Sequence, residues 1–338
     1  MHVIKARNVN YALLEGVRYL SDVGIKRDSR NGPVLVAPTP VTTIYERPLE
    51  RVLFWPDRDA NPFFHLYESL WMLAGRNDIT PLVRYNKQMQ EYSDNGTTQH
   101  GAYGFRWRKV FGADQLEKIA EGLQKNRDDR RQVLQMWEAV LDLGRIGKDV
   151  PCNLMCTFQV NTQGALDLTV FCRSNDIIWG AYGANAVHFS FLLEYMALWI
   201  GVPVGQLYQV SVNWHAYINI FDPLAESFKD PMGAAHDYQH NAKPLLLTES
   251  ISNVDISIRR ILMAAELGTF YEFSPRWAYT TSGILYAHHL WRTKAAPEKY
   301  EQPLEILNRL DPEIDFVIAA KDWIARRATK WMQKMVQA

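Results

Sequence analysis

Apolar positions along the chain recur with two different periods. From Tyr11 to Val23, the residues Leu13, Leu14, Val17 and Leu20 form one stripe, and Asp114 to Lys125 carries another. Both predict amphipathic helices. Pro62 to Leu73 is apolar on nearly every side and follows Asn61, with proline early where its missing N–H does no harm. His65 and Glu68 stand among its apolar residues. Val187 to Ile200 reads as a second helix for the interior. Strand character marks Val34 to Tyr45, Arg130 to Trp137 and Leu207 to Val212. Leu154 to Val160 and Leu166 to Cys172 are β-rich runs joined by Asn161-Thr162-Gln163-Gly164, which predicts a hairpin. A polar turn, Lys26 to Gly32, ends on Asn-Gly. From about Ile256 helical patterns dominate, and Asp315 to Val336 is basic and amphipathic. The fold class expected is α+β, a central sheet covered by helices.

Composition removes several alternatives. Lys+Arg and Asp+Glu balance at 37 each, so net charge gives no case for nonspecific nucleic-acid binding. Three cysteines, Cys152, Cys156 and Cys172, form neither a disulfide framework nor paired zinc motifs, which fits a reducing compartment. The opening residues lack the apolar core and cleavage site of a signal peptide, and a cytoplasmic location is expected. Ala184 to Val204 approaches membrane-spanning length, but it contains His188 and Glu194. A mid-bilayer charge costs about 2.5 kcal/mol or more, so a buried helix is expected there. His288-His289 and the Cys152/Cys156 pair lack third and fourth ligands, and no metal is expected.

The chemistry-bearing residues follow one order: Pro151-Cys152, then Arg173-Ser174-Asn175-Asp176, Trp179-Gly180 and Asn185. A thiol, a guanidinium, a carboxylate and a side-chain amide suit covalent attack on a ring, which needs a lowered thiol pKa that the nearby Arg173 can supply. Arginine would hold a phosphate, and the amide would read the edge of a planar heterocycle. Each member also has a plainer reading. A lone cysteine is usually a buried structural thiol. Arg30, Arg130, Arg131 and Arg173 are ordinary surface charges, unless they gather on a phosphate. Asp176 suits a helix cap, Asn185 a turn and His215 a core site. Glu68 is more unusual, because a buried carboxylate needs a partner or a proton.

Taken together, the order resembles the thymidylate synthase superfamily. The matching segments are Lys26 to Arg30, Glu68 to Gly75, Gly101 to Trp107, Asp129 to Gln132, Pro151-Cys152, Arg173 to Asp176 with Gly180, and His215 to Tyr217. They cover about residues 10 to 250. Residues 1–255 are therefore read as a catalytic core and 256–338 as a helical extension packed on it. The resemblance implies a thymidylate synthase-like fold with a mixed or antiparallel central sheet. It implies that Cys152 adds to C6 of a pyrimidine nucleoside monophosphate, and that C5 takes a one-carbon unit from 5,10-methylenetetrahydrofolate. Glu68 would organise water and proton transfers, and Tyr103 would assist proton removal from C5. Arg30, Arg173 and Ser174 would hold the 5′-phosphate, joined by Arg130 and Arg131 from the other subunit of a homodimer. Asp176 would bind the pterin, with Glu68 and Trp71 also on the folate side. His215 and Tyr217 would contact the sugar, and Asn185 the base.

Four departures separate the chain from that family's usual pattern. Asn153 follows the cysteine where histidine is usual. Asn185 stands five residues after Gly180 rather than four. Gln88 to Tyr92 replaces a tryptophan-containing folate-side segment. A long helical extension stands where the closing C-terminal segment would be. Once C5 carries an exocyclic methylene, a dry site allows hydride delivery and a methyl product, whereas admitted water gives hydroxymethyl. Losing the closing segment and a folate-side aromatic would favour water. Arg173 to Asp176, with the aromatic Trp179 before Gly180, resembles the pyrimidine nucleotide hydroxymethylases, known from phage DNA modification and antibiotic pathways, and the resemblance implies hydroxymethylation; host cytoplasm follows if the chain is phage-encoded. An asparagine tilts the base toward uracil over cytosine, while ribose stays open beside deoxyribose. The alternatives are a methylating thymidylate synthase and an idle relative that binds single strands through the basic, Trp-bearing run Lys321 to Trp331.

Overall fold

The computed structural model describes residues 1–229, 238, 241–248 and 250–337. One mixed sheet organises them. Its strands are β1 (His2–Ala6), β2 (Ile25–Arg27), β3 (Val34–Val36), β4 (Val41–Tyr45), β5 (Val133–Gln135), β6 (Asn153–Val160), β7 (Leu166–Asp176) and β8 (Val204–Tyr217). The spatial order is β1-β4-β8-β7-β6-β5, and β3 adds to the far end of β8 with β2 beside it. β1 and β4 run parallel, as do β7 and β8; the other pairs are antiparallel. The α+β expectation with a mixed sheet is met.

Several strand boundaries differ from the sequence reading. Of the run Arg130 to Trp137 only Val133–Gln135 pairs, and the second hairpin strand runs on to Asp176. The expected run Val34 to Tyr45 is two strands, because Pro38 and Pro40 interrupt it and proline cannot donate to a ladder. β3 pairs with the stretch of β8 around His215, while β4 pairs with Leu207 to Ser211. The expected strand Leu207 to Val212 is longer at both ends. Its extension to Tyr217 carries the candidate sugar-binding residues out to the sheet edge.

Among the described residues, the helices of ten residues or more are α1 (Val9–Val23), α2 (Pro62–Leu73), α3 (Gln115–Lys125), α4 (Asn185–Ile200), α5 (Ile218–Ser227), α6 (Ile251–Leu267), α7 (Arg276–Thr293), α8 (Glu298–Asn308) and α9 (Asp315–Gln337). α2 begins as expected: Asn61 Oδ1 accepts from the Phe64 N–H, and Pro62 occupies the first turn. All twelve residues of α2 are buried. It lies between α4 on one side and α6, α7 and α9 on the other. The change of character expected near residue 256 falls inside α6, and one continuous apolar core runs from the sheet side into this helical layer.

The apolar helix α4 carries one charge into the interior, and an ion pair accommodates it. Glu194 is buried and pairs with Arg51, whose side chain is wholly enclosed and whose guanidinium lies 3.9 Å over the Phe191 ring. The second Glu194 oxygen accepts from the Leu247 N–H at 2.7 Å. Among the described residues, no helix is long and apolar enough to cross a membrane. Removing one partner of such a pair strands the other charge. Glu194→Ala is therefore expected to cost about 3–5 kcal/mol, read as a fall in the denaturant midpoint of unfolding.

Candidate active site

The β6–β7 hairpin builds the nucleophile's surroundings. The Arg173 N–H donates to the Cys152 carbonyl at 2.9 Å, so strand pairing sets the guanidinium beside the thiol. Arg173 Nε and Nη2 donate to the carbonyls of Pro151 and Val150 at 2.8 and 3.0 Å. Tyr103 comes from the other side, where its hydroxyl oxygen accepts the N–H groups of Cys152 and Asn153 at 3.1 and 3.2 Å. Burial keeps the Tyr103 phenol protonated by pushing its pKa far up. The Cys152 thiol needs correcting against the sequence expectation of a lowered pKa. Burial pushes it up, Arg173 pulls it down, Asp149 pushes it up and Arg30 pulls it down; burial wins. The arginine is present, but it only limits the rise.

A chain of amides joins this hairpin to α4. Cys172 Sγ donates to Asn153 Oδ1 at 2.9 Å, and Asn153 Nδ2 donates to Asn185 Oδ1 at 3.1 Å. Asn185 Nδ2 in turn donates to Asn175 Oδ1 at 3.0 Å, and Asn175 Nδ2 reaches Gln209 and Ser211. Asn153, the residue standing in place of the usual histidine, thus orients Asn185. Gly180 makes the join possible, since a Cβ there would lie 2.5 Å from Asn175 Oδ1.

A wide turn over Ile177–Ala184 leads into Asn185. The Asn185 N–H bonds to the Gly180 carbonyl, five residues back instead of four. Asp176 caps this turn: its Oδ1 accepts from Ile178 and Trp179 N–H at 2.8 and 2.6 Å. Its Oδ2 is buried without a partner. Burial raises the Asp176 carboxyl, against the Trp179 N–H, His215 and Arg58.

A cavity of about 440 Å³ opens beside these groups, lined by Glu68, Trp71, Tyr103 and Asn185 among the expected residues. Gln88, Met89 and Tyr92 also line it, so the altered folate-side segment does form cavity wall, with Tyr92 as its aromatic. Sequence reasoning passed over three further lining residues. His188 Nε2 lies 3.1 Å from Glu68 Oε2. His65 stands edge-on to His188 and is held neutral by burial, His188 and Arg58. Arg58 donates twice to the Ile178 carbonyl and lies 4.4 Å over the Trp179 ring, and burial lowers its pKa to about 10. The missed signal was spacing: His65 with Glu68, and Asn185 with His188, each stand three apart on an otherwise apolar helix.

The remaining expected residues divide into two groups. Arg30 reaches the Gly147 carbonyl from the β2–β3 turn, and Asn31 Nδ2 donates to Tyr217 OH at 3.4 Å. His215 packs edge-on against Tyr217 at 5.7 Å, and Ser174 pairs with Asn213 in the β7–β8 ladder. Arg30, Ser174, His215 and Tyr217 thus sit toward the same sheet end as Arg173. Arg130 and Arg131 do not join them within the chain. They lie in the exposed loop before β5, where Arg131 is held by Asp129 at 2.9 Å. The Trp-bearing basic helix expected for single strands is occupied otherwise. Trp323 is buried against Phe63, and Arg326 and Arg327 pair with Asp59.

Because Arg173 lowers a thiol that burial raises, Arg173→Ala is expected to move the pH midpoint of Cys152 alkylation by iodoacetamide upward. A midpoint unchanged or shifted down in that titration contradicts the electrostatic assignment.

The thymidylate synthase family model matches residues 60–256. The deoxyuridylate hydroxymethyltransferase of Pseudomonas phage M6 is 47% identical over 352 aligned positions, covering 100% of this chain and 98% of that protein. The deoxyuridylate hydroxymethyltransferase of Bacillus phage SP01 is 39% identical over 191, covering 53% and 50% of the two chains. The thymidylate synthase of Brachyspira hyodysenteriae is 28% identical over 162, covering 46% and 59%. With the family model matched over more than half of the chain and a 47% identical relative aligned along its full length, the chain belongs to the thymidylate synthase family of one-carbon transferases.

Proposed function

We propose that the protein converts dUMP to 5-hydroxymethyl-dUMP with 5,10-methylenetetrahydrofolate as one-carbon donor. The observation that carries the base assignment is the fixed amide of Asn185. Its Oδ1 accepts from Asn153 and its Nδ2 donates to Asn175, which leaves one lone pair and one N–H for a ligand. Uracil offers N3–H and O4; cytosine offers the reverse order. A flip would set amino against amino at Asn153 and carbonyl against carbonyl at Asn175, so the site suits one base. The full-length relative from Pseudomonas phage M6 is named for deoxyuridylate, and we assign uracil.

Cys152 Sγ adds to C6 of the base, and Arg173 supports the thiolate that does so. C5 becomes electron-rich and takes the one-carbon unit. Bound folate supplies that unit at the oxidation level of formaldehyde. The residues present fit such a ligand: Trp71, Tyr92 and Trp179 give flat apolar walls, and the unpartnered Asp176 Oδ2 is an acceptor for a pterin N–H. The protonated Tyr103 hydroxyl sits under the nucleophile's backbone, where it relays the C5 proton. Arg30, Arg173 and Ser174 hold the phosphate. The exposed Arg130 and Arg131 serve the second subunit of a homodimer.

Water then adds to the exocyclic methylene. Gln88 and Tyr92 line the cavity and are exposed to solvent, and helix α9 is committed to the cavity's outer wall through Asp59. Both features favour water over a closed, dry site.

Mass spectrometry of the nucleotide product should show a gain of CH2O over dUMP, with no dihydrofolate absorbance. A gain of CH2 with dihydrofolate formed would make the protein a methylating synthase. Cys152→Ser should abolish turnover. Asn153→Ala frees the Asn185 amide to turn, so the preference for dUMP over dCMP in kcat/KM should fall roughly tenfold, about 1.4 kcal/mol, near the worth of one hydrogen bond.

A further inference from the structure

The mechanism above uses Cys152, Arg173 and the cavity walls, but not the imidazoles beside Glu68. His188 rises from α4 three residues after Asn185, so both side chains face the cavity from one helix face. It is buried, as is Glu68 on the opposing helix α2. Its Nε2 stands 3.1 Å from Glu68 Oε2, but the two are not aligned as a hydrogen bond, and Nε2 is a buried polar atom without a partner. A buried nitrogen left unpaired costs about 1–3 kcal/mol unless something else satisfies it. Hydration, unlike methylation, adds a water to the product, and that water's proton needs an acceptor.

We propose that His188 is a catalytic residue of the hydration step, binding the attacking water at Nε2 and taking its proton. The step rests on the hydroxymethylation reading above, and its balance is simple. The water oxygen forms a bond to the exocyclic methylene carbon, and the π electrons move through C5 to the C4 oxygen. One water proton passes to His188 Nε2, and the adjoining Glu68 carboxylate stabilises the imidazolium. The enolate then re-forms C4=O and the C5=C6 double bond, and the C6–sulfur bond breaks. Cys152 leaves as thiolate, and the proton on His188 returns to sulfur or solvent. No oxidant or reductant is required. His65, held neutral by burial beside His188 and Arg58, does not compete for that proton. Asn185, on the same helix face, places the base while His188 places the water.

The test uses dUMP tritiated at C5, with 5,10-methylenetetrahydrofolate and 2-mercaptoethanol present. Tritium release reports every step through loss of the C5 proton, and 5-hydroxymethyl-dUMP reports hydration. The thiol captures unhydrated methylene as a thioether. In His188→Gln the ratio of tritium release to hydroxymethyl product should rise by about a hundredfold, within the usual span for general-base catalysis, and thioether should accumulate. An unchanged ratio, whether both rates fall together or neither falls, overturns the proposal. If His188→Gln does not fold by circular dichroism, His188→Ala is read with added imidazole; restored hydroxymethyl formation supports the assignment, and no restoration in folded protein opposes it. The parent protein separates the two levels. A methylated product from the parent refutes the function, whereas a hydroxymethylated product with an unchanged variant ratio refutes only the role of His188.

Discussion

Two helices, α2 and α4, lie almost wholly inside the protein and yet carry charged and amide side chains. A polar group in such a layer must find a partner, because nothing else offsets its loss of water. The rest of the site follows from how each one finds it. Glu194 takes Arg51 and the Leu247 N–H, which fixes the far end of α4. Asn185 takes Asn153 and Asn175, which fixes the near end against the β6–β7 hairpin. Glu68 and His188 are left facing one another across the cavity. The pairings that keep α4 in place therefore also determine which groups remain for a ligand.

The amide network also fixes where Asn185 points. One residue of register in a regular helix turns a side chain by about 100 degrees, so the turn over Ile177–Ala184, capped at its start by Asp176, decides whether Asn185 meets the hairpin. Cys172, Asn153, Asn175 and Asn185 then form one hydrogen-bonded chain. Asn153 and that turn thus act together in placing the amide.

Most of the fold was legible because its signals are local. Asn61-Pro62 announced α2, the apolar stripes announced α1 and α3, and Asn161 to Gly164 announced the hairpin. The interrupted strand at Val34 to Tyr45 was misjudged because β-propensity outweighed two prolines whose effect depends on which neighbour each stretch pairs with. In the site, single residues with unusual context were readable: Cys152 after proline, Glu68 in an apolar helix. His188 was visible in the chain as a polar residue on an apolar helix, but its meaning depends on a partner 120 residues away. The thiol's pKa was misjudged for a similar reason, since sequence reveals the nearby arginine and not the depth of burial opposing it.

The last helix shows why water access is a property of the whole fold rather than of the site alone. Asp59 lines the cavity and adopts a left-handed backbone, φ 43°, a conformation that costs a non-glycine residue about 1–3 kcal/mol. Burial raises its carboxyl, but Arg327 and Arg326 more than offset this and hold it ionised below its ordinary value. Trp323, buried against Phe63 of α2, fixes α9 so that both arginines reach. α9 thereby braces the wall that carries Arg58, and Arg58 in turn supports the Ile178 carbonyl and the Trp179 ring. A C-terminal element engaged in this way stiffens the cavity from outside. It holds the wall that carries Trp179, while Gln88 and Tyr92 line the cavity where it meets solvent.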